Sequence, residues 1–416
     1  MSPHSRASIA VLAAVVGAIA ACDDAPPTAA PAPPPAPLPP PSAVLIPFAP
    51  AGSPVPDLTA DQLVLFERGS AVFQIAFAPE NGLGPLFNAV GCAACHENPV
   101  VGGSGSNDPE EEGEDIEVHA TAFLGGVCDN LARVGGQVVQ QQVTPALQAA
   151  LGIEAEPDLP GATATGRRTT PDVFGFGLLD GVPDAEILAL ADPDDRNGDG
   201  ISGRAHRTAD GRIGRFGRKA QAATLREFNT DAFVMEMGIT NPGNPTEQTV
   251  GGNALPEGVD PTSEPEVTQD EFDAADGFVR LLAPPRPLAL DLTGAIGSVV
   301  FVSIGCASCH VPALLTGPNP VSALSRKVVP AFTDLLLHDM GPELADICLG
   351  DAQASEFRTE PLMGLRFVTA FLHDGRALTI QEAISLHGGE AARARTRFAR
   401  LSLFERFALL KFLRSL

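Results

Sequence analysis

Four stretches of the chain carry the spacing of capped, apolar-faced helices, and long polar or proline-rich segments separate them. Thr59-Ala60-Asp61-Gln62 has the capping-box pattern and predicts a helix running to about Phe77, closed by residues 81–84. Thr268-Gln269-Asp270-Glu271 opens a second helix with Phe272, Ala275 and Leu282 on one face, which Pro284-Pro285 stops. A third runs from Leu292 to Ile304 and leads directly into Gly305-Cys306. Thr379-Ile380-Gln381-Glu382 starts a short fourth helix that ends at His387, with Gly388-Gly389 terminating it.

The N-terminus has a different pattern. Arg6 precedes an apolar run from Ile9 to Ala21 that is too short and too rich in small residues to be a stable membrane span. Its end, Ile19-Ala20-Ala21-Cys22, resembles a bacterial lipobox, so residues 1–21 read as a lipoprotein signal peptide and Cys22 as the lipidated residue. An ordinary secretory peptide with an incidental cysteine is the alternative. Asp23 after the lipidated cysteine favours retention in the inner membrane. Residues 22–57 are proline-rich and read as a semi-rigid polyproline tether without packed structure. About 360 residues remain, enough for two domains, with the boundary at Pro284-Pro285: 58–285 and 286–416.

A net charge of −24 excludes polyanion binding and points to basic or neutral partners. Asp108 to Asp115 reads as an exposed acidic loop, after a flexible segment from Gly102 to Ser106.

The chemistry is carried by two copies of one pattern, Cys92-Ala93-Ala94-Cys95-His96 and Cys306-Ala307-Ser308-Cys309-His310, each preceded by glycine. Two cysteines flanking two residues and followed by histidine form the attachment signature of c-type haem. One helical turn sets both thiols under the two vinyl groups, and the imidazole becomes the proximal iron ligand. Zinc would need two further nearby Cys or His ligands, which neither copy has. A thioredoxin-like redox pair is the other competing reading. Covalent haem attachment requires export, which agrees with the signal peptide and places the protein in the periplasm.

A second repeat follows each motif. Arg168-Thr169-Thr170-Pro171 precedes Leu179-Asp180-Gly181, and Arg358-Thr359-Glu360-Pro361 precedes His373-Asp374-Gly375. The chain therefore reads as two copies of one cytochrome unit, with insertions in the first. Aligning Glu186 with Glu382 sets Ala191 opposite His387. The second haem can then be ligated by two histidines, His310 and His387, while the first keeps an open distal side. The expected fold is mainly α: two cytochrome c-like haem domains with long loops and insertions.

Several further stretches extend the pattern: Gly82-Leu83-Gly84-Pro85 with Phe87-Asn88, Gly214-Arg215-Phe216-Gly217, Glu236-Met237-Gly238-Ile239-Thr240-Asn241-Pro242, Leu337-His338-Asp339-Met340 and Leu372-His373-Asp374-Gly375-Arg376. Together, over residues 58 to 416, the chain resembles the bacterial di-haem oxidoreductases, also called thiol oxidoreductases. These are distant relatives of the di-haem cytochrome c peroxidases and of MauG. The resemblance implies a periplasmic redox protein in which one haem feeds electrons to another, where a peroxide reacts. It makes Glu236 the acid–base catalyst and His387 the distal ligand, where relatives often have methionine. Relatives commonly carry an aromatic residue after Gly-Arg-Phe-Gly; here Arg218 stands, and the chain has no Trp or Tyr. Arg218 and Lys219 would then pair with haem propionates. No cysteine pair outside the haem motifs has redox spacing.

Asp195, Asn197 and Asp199 match the start of an EF-hand loop, but His206 replaces its closing glutamate. Calcium in another geometry and an ion-free acidic turn are both open. Cys128 and Cys348 form one disulfide or remain two buried thiols. His119, His206 and His338 lie outside the haem motifs, and His119 is a candidate displaceable ligand of the first haem. The function expected is oxidoreduction by electron transfer between two covalent haems, ending in peroxide reduction at the first. The alternative is a pure electron carrier serving a partner protein, which would need six fixed ligands at both irons.

Overall fold

The structure is a computed structural model that describes residues 44–46, 48–105 and 116–416. The expected signal peptide and lipidation site at Cys22, the rest of the chain up to residue 43 and the expected acidic loop 108–115 lie outside the described residues. Among the described residues no helix is long and apolar enough to cross a membrane.

Helix α1, Ala60–Phe73, begins as its capping box requires: the Thr59 hydroxyl accepts the Gln62 N–H, and the Gln62 side chain accepts the Thr59 N–H. It stops four residues before the expected Phe77. The reason is that the Phe77 N–H donates to the Val90 carbonyl, which draws the chain into an extended path toward the first haem motif. That motif is a single turn, α2, Cys92–Cys95. Next comes an antiparallel sheet of β1, Ile116–Leu124, β2, Val127–Asp129, β3, Val138–Val139, and β4, Ala164–Thr169. Two short helices follow, α3, Phe176–Asp180, and α4, Asp184–Leu190. Longer ones come next: α5, Leu225–Met237, α6, Gln269–Leu281, and α7, Leu292–Ser303. A hairpin of β5, Leu337–Asp339, and β6, Glu356–Arg358, precedes α8, Ile380–Leu386, α9, Ala392–Arg400, and α10, Leu403–Leu413.

Helix takes 33% and strand 15% of the structure, so "mainly α" describes the haem-bearing stretches and not the whole chain. The difference is the sheet between residues 116 and 169, where β-branched and aromatic residues in Ile116–Leu124 support a strand. The tether is also shorter than expected. Val44 and Leu45 pair in parallel with Lys327 and Val328, and Ile46, Ala49 and Val55 are buried in the main core. The few apolar residues inside a proline-rich composition are enough to dock that segment.

Each haem motif sits beside a helix crossing, and the two crossings are alike. Helix α1 crosses α6 at Gly69, where a Cβ would overlap the Ala274 carbonyl; α7 crosses α10 at Gly297, where a Cβ would overlap the Ala408 carbonyl. Four residues beyond each of these positions lies a phenylalanine. Phe73 meets Phe278 at 5.0 Å between centroids, and Phe301 meets Phe412 at 5.5 Å. The same phenylalanines touch the imidazoles of the two motifs, Phe73 with His96 at 5.8 Å and Phe301 with His310 at 6.5 Å. The largest core cluster draws on both sides of residue 285, from Phe66 and Phe278 to Leu324 and Leu335.

Cys128 and Cys348 are disulfide-bonded, with Cα atoms 5.9 Å apart, which resolves the open pairing in favour of the bridge. The bond ties the end of the sheet to the segment between β5 and β6.

Candidate haem sites

The second motif lines a cavity of about 940 Å³, at the upper end of the range for enclosed small-molecule sites. Helix α7 delivers it: Gly305 turns the chain with φ 100°, Cys306 to Ser308 make one tight turn, and the His310 N–H donates to the Cys306 carbonyl at 2.9 Å. His387 caps the end of α8 and lines the same cavity as His310. Thr379 caps α8 as expected, but Glu382 reaches one residue further back, to the Leu378 N–H.

The imidazoles are oriented as iron ligands are. His310 Nδ1 lies 3.0 Å from the Phe332 carbonyl, His387 Nδ1 lies 2.7 Å from the Ala383 carbonyl, and His96 Nδ1 lies 3.2 Å from the Gly103 carbonyl. A backbone acceptor at Nδ1 fixes the tautomer and leaves the Nε2 lone pairs of His310 and His387 available to a metal, while His96 has a further backbone partner in Pro171. Burial keeps the rings neutral, with His310 pushed down to about 4 by burial and by the nearby His387, and His96 and His387 also lowered, chiefly by burial.

The thiols argue in the same direction. Burial pushes Cys92 and Cys306 up to about 12. A redox-active Cys-X-X-Cys pair works with a depressed thiol, the opposite of the direction at both motifs. Cys309, Asp334 and His338 do gather closely. However, His338 Nε2 is held by Asp334 at 2.9 Å and Nδ1 by Glu390 at 2.8 Å, so both ring nitrogens are committed to carboxylates.

The first motif has different surroundings. His96 donates its backbone N–H to Cys92 at 3.0 Å, as in the second copy. Beside Cys92 lies Glu236, in the last turn of α5. The two stretches that flank it in the sequence interlock here: Asn88 and Ala89 donate backbone N–H groups to the Glu236 carbonyl, Gly84 donates to the Met237 carbonyl, and the Asn88 amide donates to Glu236 Oε2 at 3.1 Å.

Glu236 also faces Glu117, which the sequence reading passed over. Glu117 and His119 alternate with Val118 on β1, so both reach the same face, and His119 Nε2 donates to Glu117 Oε2 at 2.7 Å. Burial and the Glu117 charge raise Glu236 well above the usual carboxylate range. Burial alone would raise Glu117 too, but the His119 hydrogen bond and charge, with Arg168, hold it below that range. The two groups are therefore pushed in opposite directions, and Glu236 is the one that holds a proton more readily. The only earlier clue was the Glu-x-His spacing of an apolar strand.

Helix α4 ends at Ala191 as α8 ends at His387, with Glu186 and Glu382 at equivalent positions of their first turns. Ala191 packs against the same core as Cys92. Arg218 lines the second cavity, pairs with Glu360 at 2.8 Å and donates to the Thr169 carbonyl. Lys219 is committed elsewhere: its ammonium donates to three carbonyls, those of Gln353, Ala354 and Glu356, and lies 3.7 Å from the Phe357 ring centre. In the loop of residues 192–201, Asp195, Asn197 and Asp199 each accept backbone N–H groups of the loop itself. His206 lies beside Asp351 at 3.2 Å.

Residues 161–416 match the family described as "Di-haem oxidoreductase, putative peroxidase", which spans the second haem motif but not the first. No curated protein matches the chain. Among solved structures it is similar to hydrazine synthase of Kuenenia stuttgartiensis, at 11% identity over 90% of this chain and 97% of that one, with a TM-score of 0.41. The diheme peroxidase BthA of Burkholderia thailandensis is similar at 16% identity, 90% and 95% coverage and a TM-score of 0.37. A MauG-like protein associated with microbial copper homeostasis follows at 15% identity, 57% and 90% coverage and 0.29. Likeness at these scores carries no argument.

Proposed function

The chain belongs to the di-haem oxidoreductase family, and from that premise we propose that it is a periplasmic, Cys22-anchored c-type cytochrome that reduces hydrogen peroxide at its first haem with electrons relayed through its second. Cys92 and Cys95 would hold one haem by thioethers and Cys306 and Cys309 the other, with His96 and His310 as proximal ligands. The haems supply one-electron chemistry and, where one axial side is open, a place for peroxide to be reduced.

The observation that carries this reading is the asymmetry between the two sites. At the second, His387 stands in the same cavity as His310 and would supply that haem with a second imidazole. At the first, the equivalent helix ends in Ala191, which offers no ligand atom, and Glu236, held by Asn88, is raised well above the usual carboxylate range by burial and by Glu117. A carboxyl whose pKa is raised holds its proton more readily and can donate it to a departing oxygen, and the Glu117 charge is what strengthens that hold. A net charge of −24 suits a basic or neutral electron partner.

Stopped-flow oxidation of the pre-reduced protein by peroxide tests the proposal. Glu236→Gln is expected to slow turnover at least about tenfold, since a positioned proton donor contributes on the order of 10²–10⁴, with haem content unchanged. Peroxide-driven oxidation of wild type no faster than free haem would select the electron-carrier alternative.

A further inference from the structure

The negative charge of the chain is not shared by its last two helices. Residues 391–416 carry six arginines and one lysine against a single glutamate, in a chain whose formal charge is −24. That glutamate, Glu405, is taken up by the N-cap of α10, where it accepts the Ser402 N–H and hydroxyl. Arginines elsewhere find carboxylates: Arg168 pairs with Asp346, Arg204 with Glu356, Arg280 with Asp180 and Arg358 with Glu360. The last six do not. Arg393, Arg397 and Arg406 donate to the backbone carbonyls of Asp199, Ile304 and Ala399, and among the described residues none from Arg393 to Arg414 meets a carboxylate.

These cations lie beside the second motif. Arg393, Arg395 and Arg397 line the same cavity as Cys306 and His387. Leu413 lines it too, from the inner face of α10. The outer face of α10 is apolar and uncovered: Leu403 is 86% exposed, Phe404 55% and Phe407 59%. Helical spacing sets Phe404, Phe407, Lys411 and Arg414 on one stripe. Arg400 closes α9 just before that stripe, and Arg414 stands at its far end. An exposed apolar centre within a charged rim is the anatomy of a docking surface.

We propose that the outer sides of α9 and α10 dock an acidic one-electron redox protein that feeds the second haem. This rests on Cys306, Cys309 and His310 holding that haem. One electron leaves the partner's cofactor, which is oxidised, and reduces the haem; two such transfers are needed for each peroxide reduced to water. Local charge selects an acidic partner. Within a Debye length of about 8 Å the partner meets the arginines and not the distant carboxylates. Everywhere else the acidic chain repels it, so approach is favoured on this face alone. The net charge by itself therefore points to the wrong sign of partner. An anionic bilayer would meet the same arginines, but seated here it would cover the surface nearest the second haem and leave no room for a donor.

The test uses holoprotein carrying Cys22→Ser, so that no lipid enters the membrane arm. The probes are a basic mitochondrial-type cytochrome c and the same cytochrome with its lysines succinylated, which makes it acidic. Affinity is measured by calorimetry with both proteins oxidised, so neither electron transfer nor peroxide contributes. The acidic probe is expected to bind at least about tenfold more tightly than the basic one at low salt, with the preference fading as salt is raised. Arg400→Glu with Arg414→Glu should abolish the preference. Phe404→Ser with Phe407→Ser should weaken binding of the acidic probe and keep its salt dependence. Peroxide oxidation of protein pre-reduced with dithionite bypasses this face and should be unchanged in both variants; its absence in wild type would count against peroxide as substrate and leave the docking result standing. Equal binding of the two probes, or a preference that survives Arg400→Glu with Arg414→Glu, overturns the proposal. Sedimentation with phosphatidylglycerol vesicles of the unreversed protein but not of that variant also overturns it, and assigns the face to a membrane.

Discussion

The two haem-bearing halves share one scaffold and differ in what has been added to it. Gly69, Phe73, Ala274 and Phe278 correspond in place and spacing to Gly297, Phe301, Ala408 and Phe412, and both sets put a phenylalanine against the histidine of a Cys-X-X-Cys-His motif. In the second half the path from that phenylalanine to the first haem cysteine is short, from Phe301 to Cys306. In the first it runs from Phe73 to Cys92, and the sheet and α5 are then inserted before the closing helix. Glu117 comes from that sheet and Glu236 from α5. The repeated part carries the Cys-X-X-Cys-His motif, and the inserted part distinguishes its first copy. Scaffold and chemistry are thus separable by substitution.

The largest effect expected is complete. Cys92→Ala and Cys306→Ala should each remove one haem equivalent, seen on denaturing gels stained for haem. Retention of both haems in either variant would contradict covalent attachment at that motif. Exchanging the distal residues comes next. His387→Ala should turn one low-spin electron paramagnetic resonance signal high-spin and raise that haem's potential. Ala191→His should close the first haem and reduce peroxide turnover to background. If Ala191→His leaves turnover intact, the equivalence of α4 and α8 does not extend to the iron.

Two stability effects are smaller. Replacing Cys128 and Cys348 with serine opens a tie across 220 residues of chain and should cost about 2–4 kcal/mol in denaturant unfolding. Gly69→Leu and Gly297→Leu should each cost about 1–3 kcal/mol from overpacking at the crossing, despite a gain of about 1 kcal/mol in helix propensity. The comparison predicts similar losses in the two. A loss confined to one would show that the crossings are not equivalent.

Local signals were legible in the sequence. The haem motifs, the caps at Thr59, Thr268 and Thr379, and the match of Ala191 to His387 all rest on residues within a few positions of one another. The glycine crossings were also present, as Gly69-Ser70-Ala71-Val72-Phe73 and Gly297-Ser298-Val299-Val300-Phe301, but a pattern of five common residues has no meaning until two helices are seen to touch there. Contacts made across the chain were not legible. Glu117 meets Glu236 only because a strand pairs with partners whose spacing no period of the sequence announces. The docking of residues 44–55 and the choice of bridge over free thiols depend on the same long-range closure.

The smallest effect expected separates Glu117 from Glu236. Glu236 is held above the ordinary carboxylate range first by burial and then by the negative charge of Glu117. Its protonated form is the one that can donate to peroxide, so turnover should fall as pH rises through the Glu236 pKa. Glu117→Gln removes the like charge and keeps the burial. The pKa of Glu236 should then drop without returning to that of a solvent-exposed carboxyl, and the falling limb of turnover against pH should move to lower pH. At pH values below that limb Glu117→Gln should run close to wild type, whereas Glu236→Gln should be slow throughout and lack the limb. A purely structural role for Glu117 would lower the rate equally at all pH values and leave the limb in place. That outcome would leave Glu236 as the sole titrating acid and remove the sheet from the chemistry of the first site.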